Sequence, residues 1–159
     1  MQGPSSPVFF LFTPYVEEKA ADRTCEVPQG KAIMIPIVSG EMDTGDPTLT
    51  ENSTKGLMDT ATSGNNNALI SVTLDGTKLD FNQDQKYRVL TDPFIINLPK
   101  NNIWEEKEKP GKYTGVAEGY YLLLKPLAIG NHTLYYEAGT GEPNPNQYAQ
   151  SVNYHLNVK

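Results

Sequence analysis

Apolar and polar residues alternate one by one in short runs along this chain, the period of strands with one buried face. The closing run, SVNYHLNVK, sets Val152, Tyr154, Leu156 and Val158 against Ser151, Asn153, His155 and Asn157. Ile70, Val72 and Leu74 alternate with Ser71 and Thr73, and Asp75-Gly76 follows at once. Asp-Gly between such runs predicts a hairpin over residues 69–74 and 77–81, because a type I′ turn needs φ > 0 twice. Residues 31–38 leave a Pro28-Gln29-Gly30 turn with Ile33, Ile35 and Ile37 on one face. Pro36 cannot donate to a ladder, which places that strand at an edge or at a bulge. Residues 8–12, VFFLF, run unbroken between Pro7 and Pro14, the pattern of a strand buried on both faces. Further strands are expected over residues 87–90, 94–98, 116–125 and 133–138, the last with Leu134 and Tyr136 inward and Tyr135 outward.

Other stretches break the alternation. Residues 17–22 are polar and read as a connection, and residues 39–68 are too long for an ordinary one. Within the latter, Thr48-Leu49-Thr50-Glu51 has the spacing of a capping box. It predicts a short helix over residues 49–61, with Leu57 and Ala61 on one face and Gly56 weakening it. Residues 101–115 read as a charged loop anchored by Ile103 and Trp104, and residues 139–147 as a Gly/Pro/Asn loop. The expected fold is a single all-β domain: an antiparallel two-sheet β-sandwich, jelly-roll or immunoglobulin-like, with one helical excursion.

Composition agrees with that class. The chain has 159 residues, 13 Gly, 12 Pro and nine Tyr against one Trp, a usage suited to short strands and tight turns. A net charge of −6 argues against nucleic acid as partner, since the one Lys-rich stretch, 107–112, is interleaved with Glu105, Glu106 and Glu108. The apolar runs are too short to span a bilayer. Residues 1–6, MQGPSS, lack the basic and apolar regions of a signal peptide, so export would require a leader outside this chain.

The run Arg-x-Cys-x-Val-Pro-x-Gly-Lys-Ala-Ile at residues 23–33 resembles a poorly characterised family of secreted archaeal and bacterial proteins. The likeness continues through Gly3-Pro4, residues 8–11, Leu74-Asp75-Gly76, Tyr87-Arg88-Val89 and Pro93-Phe94. It closes with Glu118-Gly119-Tyr120, residues 124–127, Gly130-Asn131-His132-Thr133 and residues 152–158. The resemblance implies an exported or cell-surface β domain without established activity. It also implies a further N-terminal segment bearing a cysteine, which would be the disulfide partner of Cys25. By composition alone Cys25 reads equally as a small buried hydrophobe. A second cysteine pair typical of that family has no counterpart near Met42 or Leu57-Met58.

Candidate chemistry is sparse. His132, in what reads as a turn, and His155, on the polar face of the last strand, are expected to be solvated, and neither sits in a nucleophile motif. With Cys25 they lack the spacing of a zinc or blue-copper site. Glu118 and Glu137 are the carboxylates that could pair for glycoside hydrolysis, although each also reads as an outward strand residue. Glu41, Asp43 and Asp46 crowd a Gly-containing stretch and could hold a structural Ca²⁺; no other cofactor is implied. Asn52 and Asn131 head N-glycosylation triplets. Tyr135, Asn153, His155 and Asn157 would share one sheet face, a mixture of rings and amides that suits sugars. The expected function is therefore a non-enzymatic extracellular domain that binds glycans or builds a matrix, associating with itself through an edge strand. A carbohydrate-active hydrolase is the alternative.

Overall fold

The computed structural model describes residues 5–12, 20–47, 49, 53–66, 68–80, 85–102, 109–139 and 150–159. Among these residues, ten strands and one α-helix follow in the order β1 Val8–Phe10, β2 Ala20–Val27, β3 Ala32–Asp43, α1 Thr54–Gly64, β4 Leu69–Leu74, β5 Thr77–Lys78, β6 Arg88–Leu90, β7 Phe94–Leu98, β8 Gly111–Leu124, β9 Gly130–Gly139 and β10 Gln150–Val158. One sheet has the order β1-β3-β8-β6 with β7 also paired to β8, and the other the order β2-β10-β9-β4-β5. Both are mixed. The pairs β1–β3 and β2–β10 are parallel, whereas β10–β9, β4–β9, β4–β5 and β7–β8 are antiparallel. The fold is thus mostly β, but the expected wholly antiparallel arrangement is corrected. Alternation fixes which face a residue takes, not the direction of a partner recruited from far along the chain.

The chain divides into two compact units. The first comprises Met1–Val38, Asn67–Arg88 and Tyr120–Lys159. Its core joins inner residues of both sheets: Ile33, Ile35, Ile37, Tyr120 and Leu122 from one, and Val27, Val72, Leu134, Tyr136, Val152, Tyr154 and Leu156 from the other. The last strand alternates as its sequence requires, with Val152, Tyr154, Leu156 and Val158 all buried. The Asp75-Gly76 hairpin forms with φ of +50° and +76° at its two central residues, as a type I′ turn needs.

Three expectations fail in this unit for physical reasons. The apolar run at residues 8–12 is not buried on both faces: Phe10 and Phe12 are exposed, and only Leu11 is fully covered. Residues 20–22 are not connection but the start of β2. That strand turns Ala21, Arg23, Cys25 and Val27 inward, a row too polar to register as hydrophobic alternation. Pro36 is tolerated because Ala32 and Met34 aim their backbone groups at β1, and that strand has ended before the same series reaches residue 36.

The second unit comprises Ser39–Asn66 and Val89–Gly119. Leu57 and Ala61 of α1 pack with Val116 of β8, and Met42, Leu49 and Met58 close the cluster. The helix starts later than expected, at an N-cap Ser53 whose Oγ accepts from the Gly56 N–H at 3.1 Å. Thr48 and Glu51, the expected capping box, lie outside the described residues, as do Ile103 and Trp104. The stretch at residues 111–115, read as loop, is instead strand β8 paired with β7. Gly115 lets Ile96 pack closely there: a Cβ would stand 2.6 Å from Ile96 Cδ1, so that side chain would have to shift.

Candidate functional site

The expected polar face exists in the first unit. In register, Asn153 lies opposite Tyr135, His155 opposite Thr133 and Asn157 opposite Asn131, so the four singled-out residues share one face of β9 and β10. Three of them are already engaged: Tyr135 with Glu137, and Asn153 and His155 with each other and with Asp22 of β2. The Tyr135 hydroxyl donates to Glu137 at 2.6 Å, and this carboxylate beside the phenol holds its pKa above the ordinary value. The Asn153 amide donates to Asp22 at 2.9 Å, and His155 Nε2 lies 3.1 Å from the same carboxylate. Hydrogen bonds from Asn153 and His155 hold the Asp22 carboxyl below its usual range. These are two separate exposed groups, one around Glu137 and one around Asp22.

His132 is not the solvated turn residue the sequence suggests. It lies on β9 in the same inward series as Leu134 and Tyr136, its side chain 16% exposed. Nδ1 stands 2.7 Å from an Asp75 carboxylate oxygen, and Nε2 stands 3.0 Å from the Ala128 carbonyl. The other Asp75 oxygen accepts from the Thr133 N–H at 2.8 Å. The hydrogen bonds to Asp75 and Ala128 raise the His132 pKa, while those from His132 and Thr133 lower that of Asp75.

The two candidate carboxylates fall in different settings. Glu118 is 1% exposed, in the inward row of Val116, Tyr120 and Leu122, and its Oε2 accepts from Asn65 Nδ2 at 2.5 Å. The outward reading is corrected. Apolar residues occupy both parities around position 118, and Asn65, at the C-terminal cap of α1, is remote in sequence. Glu137 stands on the outer face beside an open groove of about 520 Å³, lined also by Leu69, Ile70, Ser71, Gln150 and Ser151. Among the described residues Glu137 is the sole acid of that lining, and no second carboxylate faces it there.

The acidic stretch turns out to be a structured end of β3. Asp43 is buried, and its Oδ1 accepts from the Gly45 N–H at 2.5 Å, which spends the carboxylate on a local turn. Glu41 is exposed, with Oε1 close over Gly115. Among the described residues, no three His, Cys, Asp or Glu side chains gather as a metal would need. Cys25 packs partly buried against the first core, and burial pushes its thiol pKa up. Asn131 is exposed on strand β9 rather than in a turn, and Asn52 lies outside the described residues.

A feature the sequence reading missed lies on the second unit. Strands β6 and β7 follow one another along one side of β8, with Thr91 bonded to Ala117 between them and Phe94 paired to Gly115. Val89, Leu90, Phe94 and Ile95 are 46%, 38%, 38% and 62% exposed there. Four large apolar residues in seven positions, split only by Thr91, Asp92 and Pro93, leave exposed apolar side chains along this edge, on both faces because neighbours on a strand point opposite ways. The signal was present as two apolar pairs around Asp92-Pro93. Nothing in it distinguished an uncovered edge from a covered one.

No known protein family's profile and no curated protein matches this sequence. Among solved structures, the cysteine protease inhibitor EhICP2 from Entamoeba histolytica aligns at 13% identity over 99% of this chain and 100% of its own, with a TM-score of 0.33. The structure of PbICP-C in complex with falcipain-2 aligns at 11% identity over 96% of this chain and 98% of that one, with a TM-score of 0.35. The solution structure of Amebosin aligns at 12% identity over 89% and 99%, with a TM-score of 0.25.

The glycan-binding or matrix expectation, and its hydrolase alternative, are corrected on the geometry of the sites themselves. The Tyr135 hydroxyl is taken up by Glu137, Asn153 and His155 are taken up by Asp22, and Glu118 is buried against Asn65. The expected self-association through an edge strand is corrected with them: the first strand, β1, offers an edge of only three residues.

Proposed function

We propose that this chain is a non-catalytic domain that binds an extended segment of another protein along the β6–β7 edge of its second unit. The uncovered row Val89, Leu90, Phe94 and Ile95 carries this reading. Among the described residues β7 pairs only with β8, so its outer edge offers backbone donors and acceptors next to apolar side chains. An incoming strand uses both: the ladder supplies affinity, and contact with the apolar side chains supplies specificity. Pro93 and Pro99 flank β7, which confines the edge to five residues. A short edge closed by prolines takes one segment and does not propagate into fibres.

Selection from a library of displayed linear peptides tests this, run in parallel on the protein and on its Val89→Asp/Ile95→Asp variant. The reading predicts enriched peptides with alternating apolar residues that lose at least tenfold in affinity for the variant. Peptides that bind both forms equally, or no enrichment at all, would overturn it.

A further inference from the structure

The surroundings of His132 carry an inference about how the first unit responds to protons. Both ring nitrogens face acceptors, an Asp75 carboxylate oxygen at 2.7 Å and the Ala128 carbonyl at 3.0 Å. A neutral imidazole has one N–H and satisfies one of them, whereas the imidazolium has two and satisfies both. The contacts gather three segments: the β4–β5 turn through Asp75, the β8–β9 connection through Ala128, and the start of β9 through His132 itself. Asp75 is fixed in turn by two bonds with Thr133, its carboxylate accepting at 2.8 Å and its own N–H donating to the Thr133 carbonyl at 2.8 Å.

We propose that His132, as an imidazolium, is a proton-dependent clasp that holds the β8–β9 connection against the β4–β5 turn and releases the connection when it is deprotonated. The charged acceptor is the stronger of the two, so the neutral ring keeps Nδ1–H on Asp75. The proton leaves Nε2 for solvent, and a lone pair then faces the Ala128 carbonyl, replacing an attraction by a repulsion. The ionisable group bearing on the ring is Asp75; the β10 residue opposite His132 is Leu156, and the next inward residue of β9 is Leu134. The raised His132 pKa has the direction this geometry requires. The released connection carries Leu127, which packs against the core, and Ile129, which is 65% exposed. Its release uncovers apolar surface near one end of the first unit.

Imidazole ¹⁵N signals followed against pH test the proposal, on a His155→Asn background that leaves a single ring to read. The expected result is a doubly protonated His132 through pH 6.5, titrating above the ordinary value of about 6.5. Above that midpoint the neutral ring carries its proton on Nδ1. Hydrogen exchange at Ala128 and Ile129, corrected for intrinsic base catalysis, should then accelerate several-fold. Asp75→Asn should bring the midpoint down. A His132 ring that is neutral at pH 6, or one that titrates high while exchange at the connection stays unchanged, would overturn the clasp. The unsubstituted ring's titration decides the matter even where Asp75→Asn does not fold.

Discussion

At the scale of single residues, buried polar atoms set the sharpest expectations. Tyr136 is fully buried, and its hydroxyl has no hydrogen-bond partner among the described residues; burial pushes its pKa well above the ordinary value, with Tyr154 adding to the effect. An unsatisfied buried hydroxyl costs roughly 1–3 kcal/mol. Tyr136→Phe is therefore expected to be at least as stable as the parent in urea denaturation, and a clear loss would reveal a partner for that oxygen. Tyr154, also buried, behaves differently, because its hydroxyl donates to the Phe12 carbonyl, which Arg23 also reaches at 2.8 Å. Tyr154→Phe should cost about 1 kcal/mol by the same measurement. The Asn65–Glu118 contact is buried at both ends, and Asn65→Ala should lower stability by about 1–3 kcal/mol. An unchanged denaturation midpoint for Asn65→Ala would mean the contact carries no net energy.

At the scale of elements, α1 is the most exposed to a single change. Ser53 caps it with one side-chain bond, and only Gly56, Leu57 and Ala61 are buried along it. Ser53→Ala should cost about 1 kcal/mol, seen as a lower thermal midpoint, whereas Ser53→Asp should retain the cap. Equal midpoints for the alanine and aspartate variants would show the cap to be idle. How far the sequence disclosed its elements can be judged from particular cases. β10 was legible almost to the residue, since four large apolar side chains alternate with small polar ones and leave one choice of face. The Asp75-Gly76 hairpin was legible because its turn demands those residues. β2 was not, since its inward row of Ala21, Arg23, Cys25 and Val27 is weakly apolar and gains its place from eight paired positions on β10. The late start of α1 escaped for a related reason: Thr48 and Ser53 both offer a capping hydroxyl, and spacing alone favoured the wrong one. Tyr135, Asn153, His155 and Asn157 were correctly placed on one face by parity. The bonds of Asn153 and His155 with Asp22 depended on the β2–β10 register, which no local pattern supplies. The apolar edge at β6–β7 was invisible as a site because exposure is a property of what does not pack.

At the scale of the whole molecule, pH and partner binding are the two properties that follow from this arrangement. The His132 pKa is raised, so its pairing contributes stability that is full below about 6.5 and is lost as pH rises through the folded value. The Asp75 pKa is lowered, so its contribution is present above about 3.9 and is lost as pH falls through the folded value. The pair is therefore most stabilising between those limits. Relative to His132→Gln, the parent protein should show its largest stability advantage near pH 5–6, shrinking on both sides, when urea midpoints are compared across pH. A difference independent of pH would remove the ion pair from the account. For partner binding, the central claim is that the β6–β7 edge takes up a strand from another protein. The most direct measurement is hydrogen–deuterium exchange along the chain, with and without a peptide selected for binding. The account predicts new protection concentrated at residues 89–90 and 94–98, with the outer face of β9 and β10 unchanged. Protection on that outer face or around the Glu137 groove, with the edge unaltered, would contradict it.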